Sequence, residues 1–473
     1  MRIRHRIARG IALPIAALAL AACTAGPDYV RPKVDAPAAF KEAGEWQAAQ
    51  PRDGAARGKW WEIYGDTQLD TLIEQLAVSN PSLAAAQAQY RAASALVEAA
   101  RASWFPTVNA SASATRSRPS ATTGPVAGAS TSTRTLYSLP VNASWEADLW
   151  GRIDRTVESS RAAAQASAAD LENVRLSLQA QLAQNYFQLR ALDAQRQLFD
   201  STVEAYAKSL EMTRNRYAAG VVSRADVAQA ETQLKSTQAQ AIDIGVQRAQ
   251  LEHAIAVLLG KPPAELTLTA APLSAAPPAI PLGLPAQLLE RRPDIAAAER
   301  RMAAANAQIG VARAAYFPTV TLSASYGLQS ASRSDWLTAP SRFWSLGPAL
   351  AETLFDGGRR AALGDEAVAN YDASVANYRE SVIAAFREVE DNLAALRLLE
   401  QEAAVQADAV RAAEQSLELT LNQYRAGTVA YLQVVAAQTA ALANQRAAAD
   451  ILGRRAAASV LLVKALGGGW AAQ

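Results

Sequence analysis

The sequence predicts an α+β chain that is internally duplicated, with long α-helical hairpins as its bulk and four short strand runs between helices. Three observations predict this. The first is an internal period: SLEMTRNRYAAG (Ser209 to Gly220) returns as SLELTLNQYRAG (Ser416 to Gly427), about 207 residues on, with eight of twelve positions identical. The same offset pairs Gly151-Arg152 with Gly358-Arg359, Asn185 with Asn392, Leu189-Arg190 with Leu396-Arg397, and Leu259-Gly260 with Leu466-Gly467. Upstream the offset is about 212, aligning ASWFPTV (Ala102 to Val108) with AAYFPTV (Ala314 to Val320) and Asn80-Pro81 with Arg292-Pro293. The change of offset falls in a polar loop, where insertions are tolerated best, and a register held this far is fold information. The second observation is a proline-free, alanine-rich stretch in each copy, and the third is strict alternation of apolar and small polar residues in four runs.

The chain begins with a targeting segment. Arg2, Arg4, Arg6 and Arg9 precede an apolar run from Ile11 to Leu20, the layout of a signal peptide over residues 1–22. The run stops at Leu20-Ala21-Ala22-Cys23, which resembles a bacterial lipoprotein cleavage box, so Cys23 is expected to become the lipidated first residue of the mature chain. Cys23 is the sole cysteine, which excludes an intramolecular disulfide. Thr24 follows it where an aspartate would favour inner-membrane retention, so delivery to the outer membrane is expected. The whole chain carries 46 basic and 44 acidic residues, and the leader removes four arginines, leaving no basic surplus for nucleic acid. The remainder divides into an extended lipidated segment (23–59), a first structural repeat of helix, β-hairpin and long helical hairpin (60–260), a Pro-rich linker (261–285), a second repeat (286–467) and a tail (468–473).

No stretch after Leu20 reaches the ~18 apolar residues of a transmembrane helix, so a membrane crossing would have to use strands. After Trp104-Phe105-Pro106, Val108, Ala110, Ala112 and Ala114 point one way and Thr107, Asn109, Ser111 and Ser113 the other. A Gly/Ser/Thr/Pro loop leads to Tyr137, Leu139, Val141, Ala143 and Trp145, set against Ser138, Pro140, Asn142, Ser144 and Glu146. In the second copy Val320, Leu322, Ala324, Tyr326 and Leu328 alternate with Thr319, Thr321, Ser323, Ser325 and Gly327, and Trp344, Leu346, Pro348 and Leu350 form a fourth row. Runs of about 9–11 residues with one apolar face and aromatics near the ends are the pattern of tilted membrane strands. Alternation also fits a pair of soluble half-buried hairpins. In lipid every backbone group must be paired, so four strands cannot stand alone there and several chains must share a barrel. Copies of a four-strand contribution give about eight, twelve or sixteen strands.

The helices follow. Arg152 to Ala219 would make a helix about 100 Å long at ~1.5 Å per residue. Gly220 suits the left-handed position after its end, and Ser223 with Asp226 restarts a helix in a capping-box pattern that returns to Leu259. The duplicate runs from Arg359 to Ala426, turns at Gly427-Thr428-Val429 and returns to Leu466. The apolar stripe (Leu176, Ala180, Ala183, Phe187, Leu189) is narrow, and its alanines allow close backbone approach along a seam.

The motifs PDYVRP (Pro27 to Pro32), WWEIYGDTQLDTLI (Trp60 to Ile73), NPSLAAAQAQ (Asn80 to Gln89), the two FPTV strand starts, DLWGR (Asp148 to Arg152), YAAGVVSRADVAQAETQL (Tyr217 to Leu234), LFDGGRR (Leu354 to Arg360) and YRAGTVAYLQVVAAQTAAL (Tyr424 to Leu442) stand in one order along the chain. In that order the chain resembles the TolC-like outer membrane factor family, within it the lipoprotein branch of efflux channels labelled NodT-type. The resemblance implies a homotrimer whose strands form a twelve-stranded transmembrane β-barrel and whose helices form a periplasmic α-barrel. It implies a passive, gated conduit, lipid-anchored in the outer membrane through Cys23 and extending into the periplasm, that meets a membrane-fusion adaptor protein and, through it, an inner-membrane efflux pump. The helical turns, Gly220, Val221, Val222 and Ser223 with Gly427, Thr428, Val429 and Ala430, would contact the adaptor. The family's gating tyrosine–aspartate contact maps onto Tyr424 and Asp226. Val429 stands where better-known members place an arginine, and Gln433 and Ala436 where they carry an acidic ring, so Glu211 and Glu418 are the substitute acidic candidates.

No catalytic constellation is visible. His5 leaves with the leader, His253 stands alone, and neither a phosphate loop nor a metal-ligand spacing appears, so no enzyme, cofactor or metal is expected. Alternatives to the efflux conduit are a non-conducting lipoprotein stalk, which has no use for bilayer-length strands, and a conduit for protein (type I) secretion.

Overall fold

The computed structural model describes residues 25–32, 37, 39–43, 58–118, 120, 132–273, 276–278, 280 and 291–468. The expected signal segment and Cys23 lie outside the described residues, as do parts of the expected linker 261–285 and most of the tail 468–473. The chain forms two compact units, each drawing on both copies of the repeat. One spans Met1–Lys33, Tyr90–Ser167 and Ala298–Tyr378, the other Val34–Gln89, Ala168–Ala297 and Arg379–Gln473.

The first unit holds one antiparallel sheet. In it β1 (Thr107–Ala110) and β2 (Ser113–Ser117) both pair with β3 (Arg134–Ala147), β3 pairs with β4 (Thr319–Ser330), and β4 with β5 (Arg342–Ala351). The alternation reads residues 107–114 as one strand, and the structure interrupts it at Ser111 and Ala112. The register does not slip, since Ala110 faces Val141 before the break and Ser113 faces Ser138 after it. The cause is on the partner strand. Ser111 N donates to Pro140 O at 3.1 Å, but Pro140 has no N–H with which to return the bond, so the ladder loses a rung. On its other side Pro140 faces Gly327. A Cβ on Gly327 would lie 2.5 Å from Leu139 O and 2.7 Å from Pro140 Cα, so glycine permits this approach of β3 and β4.

Helices dominate the second unit, and parts of them, including the first turns of both long hairpin arms, belong to the first. The hairpin arms α3 (Arg152–Ala218) and α6 (Arg359–Arg425) are 67 residues each, and the returning arms α4 (Arg224–Leu258) and α7 (Tyr431–Ala465) are 35 each, so the duplication is repeated residue for residue. All four end alike. The N–H of Val221 donates to Arg216 O, of Thr428 to Gln423 O, of Lys261 to Ala256 O and of Gly468 to Val463 O, each at 2.9–3.0 Å around a glycine. This is the Schellman closure, which satisfies carbonyls the helix cannot. The expected stripe Leu176, Ala180, Ala183, Phe187 and Leu189 is buried, and it packs with Trp60, Trp61 and the Leu69, Ile73 and Leu76 face of α1 (Thr67–Ser79). Val389, Leu393, Val460 and Leu462 complete that core from the second hairpin.

The two X-Pro sites aligned in the sequence perform one task. Asn80 caps the start of α2 (Pro81–Arg101), accepting from Leu83 N at 2.9 Å, while its amide donates to Leu258 O of α4 at 2.7 Å. Arg292, before α5 (Pro293–Ala314), donates to Ala465 O of α7 at 3.1 Å. In both copies the end of the returning helix is thus joined to the start of the helix that leads into that copy's strands. Burial works against the Arg292 charge, but Asp294 and Glu388 outweigh it and hold its pKa above the ordinary arginine value.

A buried ion network binds the chain that follows α4. Arg190 donates to Asp193 (3.0 Å) and Thr269 O (2.7 Å), and also to the Gln68 side chain. Arg248 donates to Asp193 (2.7 Å) and Leu268 O (2.6 Å), and Asp193 accepts from Ala271 N. At the 207-residue offset stand Arg397, Glu400 and Arg455; there Arg397 pairs with Glu42, and the amides of Lys41 and Glu42 donate to Glu390. One copy therefore holds down the chain that follows its returning helix, and the other holds the short 3-10 turn Lys41–Ala43 from near the N-terminus.

Candidate functional site

Two places hold the residues for which the sequence suggests a function. The first is the sheet. Its register sets Val141, Tyr326 and Trp344 in one row, Ala143, Ala324 and Leu346 in the next, and Trp145, Leu322 and Pro348 in a third. The opposite face carries the rows Asn109, Asn142, Ser325, Ser345 and Thr107, Ser144, Ser323, Gly347. The apolar face lies open, with Trp344 76%, Leu346 66% and Leu350 70% exposed. A continuous apolar surface across every strand is not stable against water, and lipid is the solvent that fits it. At the helix-side strand ends Trp145 Nε1 donates to Trp104 O (2.9 Å) and Trp150 stacks on Phe317 at 4.8 Å. At the other end Tyr137 lies 5.5 Å from Trp336. Aromatic groups at both ends of an apolar band mark membrane interfaces. Among the described residues the outer edges of β1, β2 and β5 have no strand partner.

The second place is the pair of helical turns. Gly220 (φ +73°) and Gly427 (φ +80°) take the left-handed conformation the closures require. Gly220 to Ser223 and Gly427 to Ala430 form the two tips, with Val221 61% exposed and Val222 and Val429 packed inward. They close over a small core of Tyr206, Leu210, Ala230, Leu234, Tyr424, Tyr431 and Val434. Tyr424 is buried there, edge-on to Tyr431 at 5.3 Å. Burial raises the Tyr431 pKa, and a 3.2 Å hydrogen bond with Ser209 opposes the shift.

Asp226 and Tyr424 are not joined by a hydrogen bond within the chain. The Asp226 carboxylate accepts from Ser223 N (2.9 Å) and Ser223 Oγ (3.0 Å), and Asp226 N donates to Ser223 Oγ (3.2 Å), so the residue completes the α4 capping box. The corresponding start of α7 at Ala430 has no side-chain cap. Glu211, Glu418, Gln433 and Ala436 are exposed.

Beside the Ser209–Tyr431 bond, Arg216 joins the two hairpins near their tips. Its guanidinium donates to Tyr424 O (2.7 Å) and Arg425 O (3.2 Å), the last carbonyls of α6, and lies 4.7 Å from the Tyr424 ring centroid. A cation on helix C-terminal carbonyls and over an aromatic face is favourable on both counts. Sequence reasoning passed over it. The available signal was a break in the repeat, because Arg216 aligns with Gln423 inside an otherwise matching motif.

The family model described as "Outer membrane efflux protein" matches residues 72–261 and 284–468. The chain belongs to the outer membrane efflux protein family. Among its relatives, the pyoverdine export outer membrane protein OpmQ of Pseudomonas aeruginosa is 31% identical over 466 residues, covering 98% of this chain and 97% of that protein. The cation efflux system protein CusC of Escherichia coli O6:H1 is 31% identical over 459 residues, covering 96% and 97%. The solved outer-membrane channel OprN superposes with a TM-score of 0.87 at 33% identity, over 95% of this chain and 100% of that one. As a member of the outer membrane efflux protein family, this chain is a channel of the outer membrane that serves efflux, and not an enzyme. The duplicated α+β fold, with its helical hairpins and strand contribution to a transmembrane barrel, is the family's architecture. Channel membership also decides against the non-conducting stalk.

Proposed function

We propose that three copies of this chain assemble into one passive conduit. Each contributes four strand rows to a twelve-stranded barrel and two helical hairpins to a periplasmic tunnel. The observation that carries the reading is the sheet with one unbroken apolar face and two open edges, because a sheet in lipid must close and one copy is too narrow to do so. In this reading residues 60–260 and 286–467 are the two structural repeats and 261–285 the linker between them. Cys23 carries the acyl anchor. The tips, Gly220 to Ser223 and Gly427 to Ala430, meet a periplasmic adaptor, which couples the channel to an inner-membrane pump that supplies the energy. Asp226 and Tyr424 belong to the gate at these tips, with Arg216 holding the hairpins together.

The test is single-channel conductance of the purified lipidated protein in planar bilayers, with the oligomer mass measured on the same preparation. A trimer with small resting currents is expected. A monomer, or a trimer that stays silent even when Arg216, Asp226 and Tyr424 are replaced, would overturn the proposal.

A further inference from the structure

The described chain begins in a cradle. Ala25 N donates to Trp150 O at 3.0 Å, at the junction between β3 and α3. Arg155, whose side chain is 8% exposed, donates to Ala25 O (3.3 Å) and to the carboxylates of Asp28 (2.7 Å) and Glu158 (2.7 Å). Asn306 Nδ2 donates to Pro27 O at 3.0 Å, Tyr29 donates to Glu299 at 3.4 Å, and Arg31 donates to the Tyr378 hydroxyl at 3.1 Å. Two glycines make the fit. A Cβ on Gly26 would lie 2.4 Å from Gly310 Cα, and one on Gly310 would lie 2.7 Å from Arg155 Cγ and 2.9 Å from Ala25 O. A solvated tether needs no buried arginine, no glycine-on-glycine contact and no bonds to three helices.

We infer that α3, α5 and α6 form a binding site for the chain's own residues 25–31, and that this site, rather than the lipid, sets where the N-terminus enters the membrane. Cys23 precedes Ala25 by two residues in the sequence, a chain length of at most about 7 Å between an acyl site and the seated strap. The strap is fixed at Trp150, which stacks on Phe317 in the interfacial aromatic group at the strand ends. Acyl chains on Cys23 therefore start at the depth where the strands end. The placing of the lipid rests on the acylation of Cys23 proposed above, whereas the seating of the strap does not.

The test uses the full-length protein in detergent-solubilised outer membranes, where both faces are open to protease, and chymotryptic cleavage after Tyr29, followed by mass spectrometry. Arg155→Met removes the clamp, Gly310→Val fills the cradle, and Asp28→Ala changes a side chain exposed enough (89%) that folding is preserved if the other two fail to fold. A fourth protein, Cys23→Ser behind a leader cleaved without lipid addition, keeps the cradle and lacks the anchor. Tyr29 is expected to be protected in the wild type and in Cys23→Ser, and cut at least tenfold faster in the cradle variants that retain the oligomer. Cleavage at wild-type rate in those variants, or loss of protection in Cys23→Ser, would overturn the inference. The mass of the released wild-type peptide reads the acyl group separately, so an unlipidated Cys23 with a protected Tyr29 would remove the anchor and leave the strap.

Discussion

Replacing Arg216 with alanine tests the tip most directly. The substitution removes one short charge-assisted bond to Tyr424 O (2.7 Å), a longer exposed one to Arg425 O (3.2 Å), and the stacking on the Tyr424 ring (4.7 Å). A hydrogen bond from a charged group contributes about 1.5–3 kcal/mol when shielded, and a cation over an aromatic face about 0.5–2 kcal/mol. Arg216 is half-buried, so the lower ends apply and the sum is about 2 kcal/mol. The helices themselves survive, because the closures at Gly220 and Gly427 are made by backbone groups. The whole loss therefore falls on the contact between hairpins. About 2 kcal/mol shifts a two-state balance roughly 30-fold for each chain. Planar-bilayer recordings should show a higher resting open probability for Arg216→Ala, with Arg216→Lys in between because lysine keeps a donor and loses the planar stack. Recordings of an intact Arg216→Ala oligomer that match wild type would refute the reasoning and take Arg216 out of the gate.

Three further outcomes are expected. Asn80→Ala removes a helix cap and leaves Leu258 O without its 2.7 Å donor; together these cost about 2–3 kcal/mol, read as a lower thermal midpoint by circular dichroism. Gly327→Leu cannot fit between Leu139 O and the Phe343 ring, so it should abolish the heat-resistant assembled form on gels while helix content persists. Burial, with Glu62, Asp66 and Glu74 nearby, raises the pKa of Asp70, one oxygen of which is buried without a partner. A raised carboxyl pKa favours the folded state below the unfolded value and disfavours it as pH rises through the folded value. Asp70→Asn should then stabilise at pH 7 by roughly 0.5 kcal/mol or less, in keeping with a partly solvated charge, and leave melting at pH 3 unchanged.

Much of this protein is local, and local features are legible. The ends of the long arms at Ala218, Leu258, Arg425 and Ala465 fall within one residue of the expected positions because a glycine closure is made by six consecutive residues. The two faces of the sheet follow from a side-chain period of two, and pairing only had to bring the apolar rows into line. The break in the first strand escaped the sequence because it is caused by a proline on another strand. The Ser223–Asp226 cap, three residues apart, is likewise local, and its capping-box pattern was legible in the sequence.

By itself the amino-acid sequence determined the duplication, the helix boundaries, the strand faces and the family, since each is written in periods and short-range contacts. Only the tertiary structure decided which residues work across long stretches of chain. Arg216 on the α6 carbonyls, Asn80 and Arg292 at the helix joints, and Gly26 against Gly310 are contacts between residues far apart in the chain. Their partners are backbone atoms or bare Cα atoms, which every residue possesses, so no pattern of side chains announces them. They exist once packing has brought the ends of each copy, the two hairpin tips and the N-terminal strap to their partners.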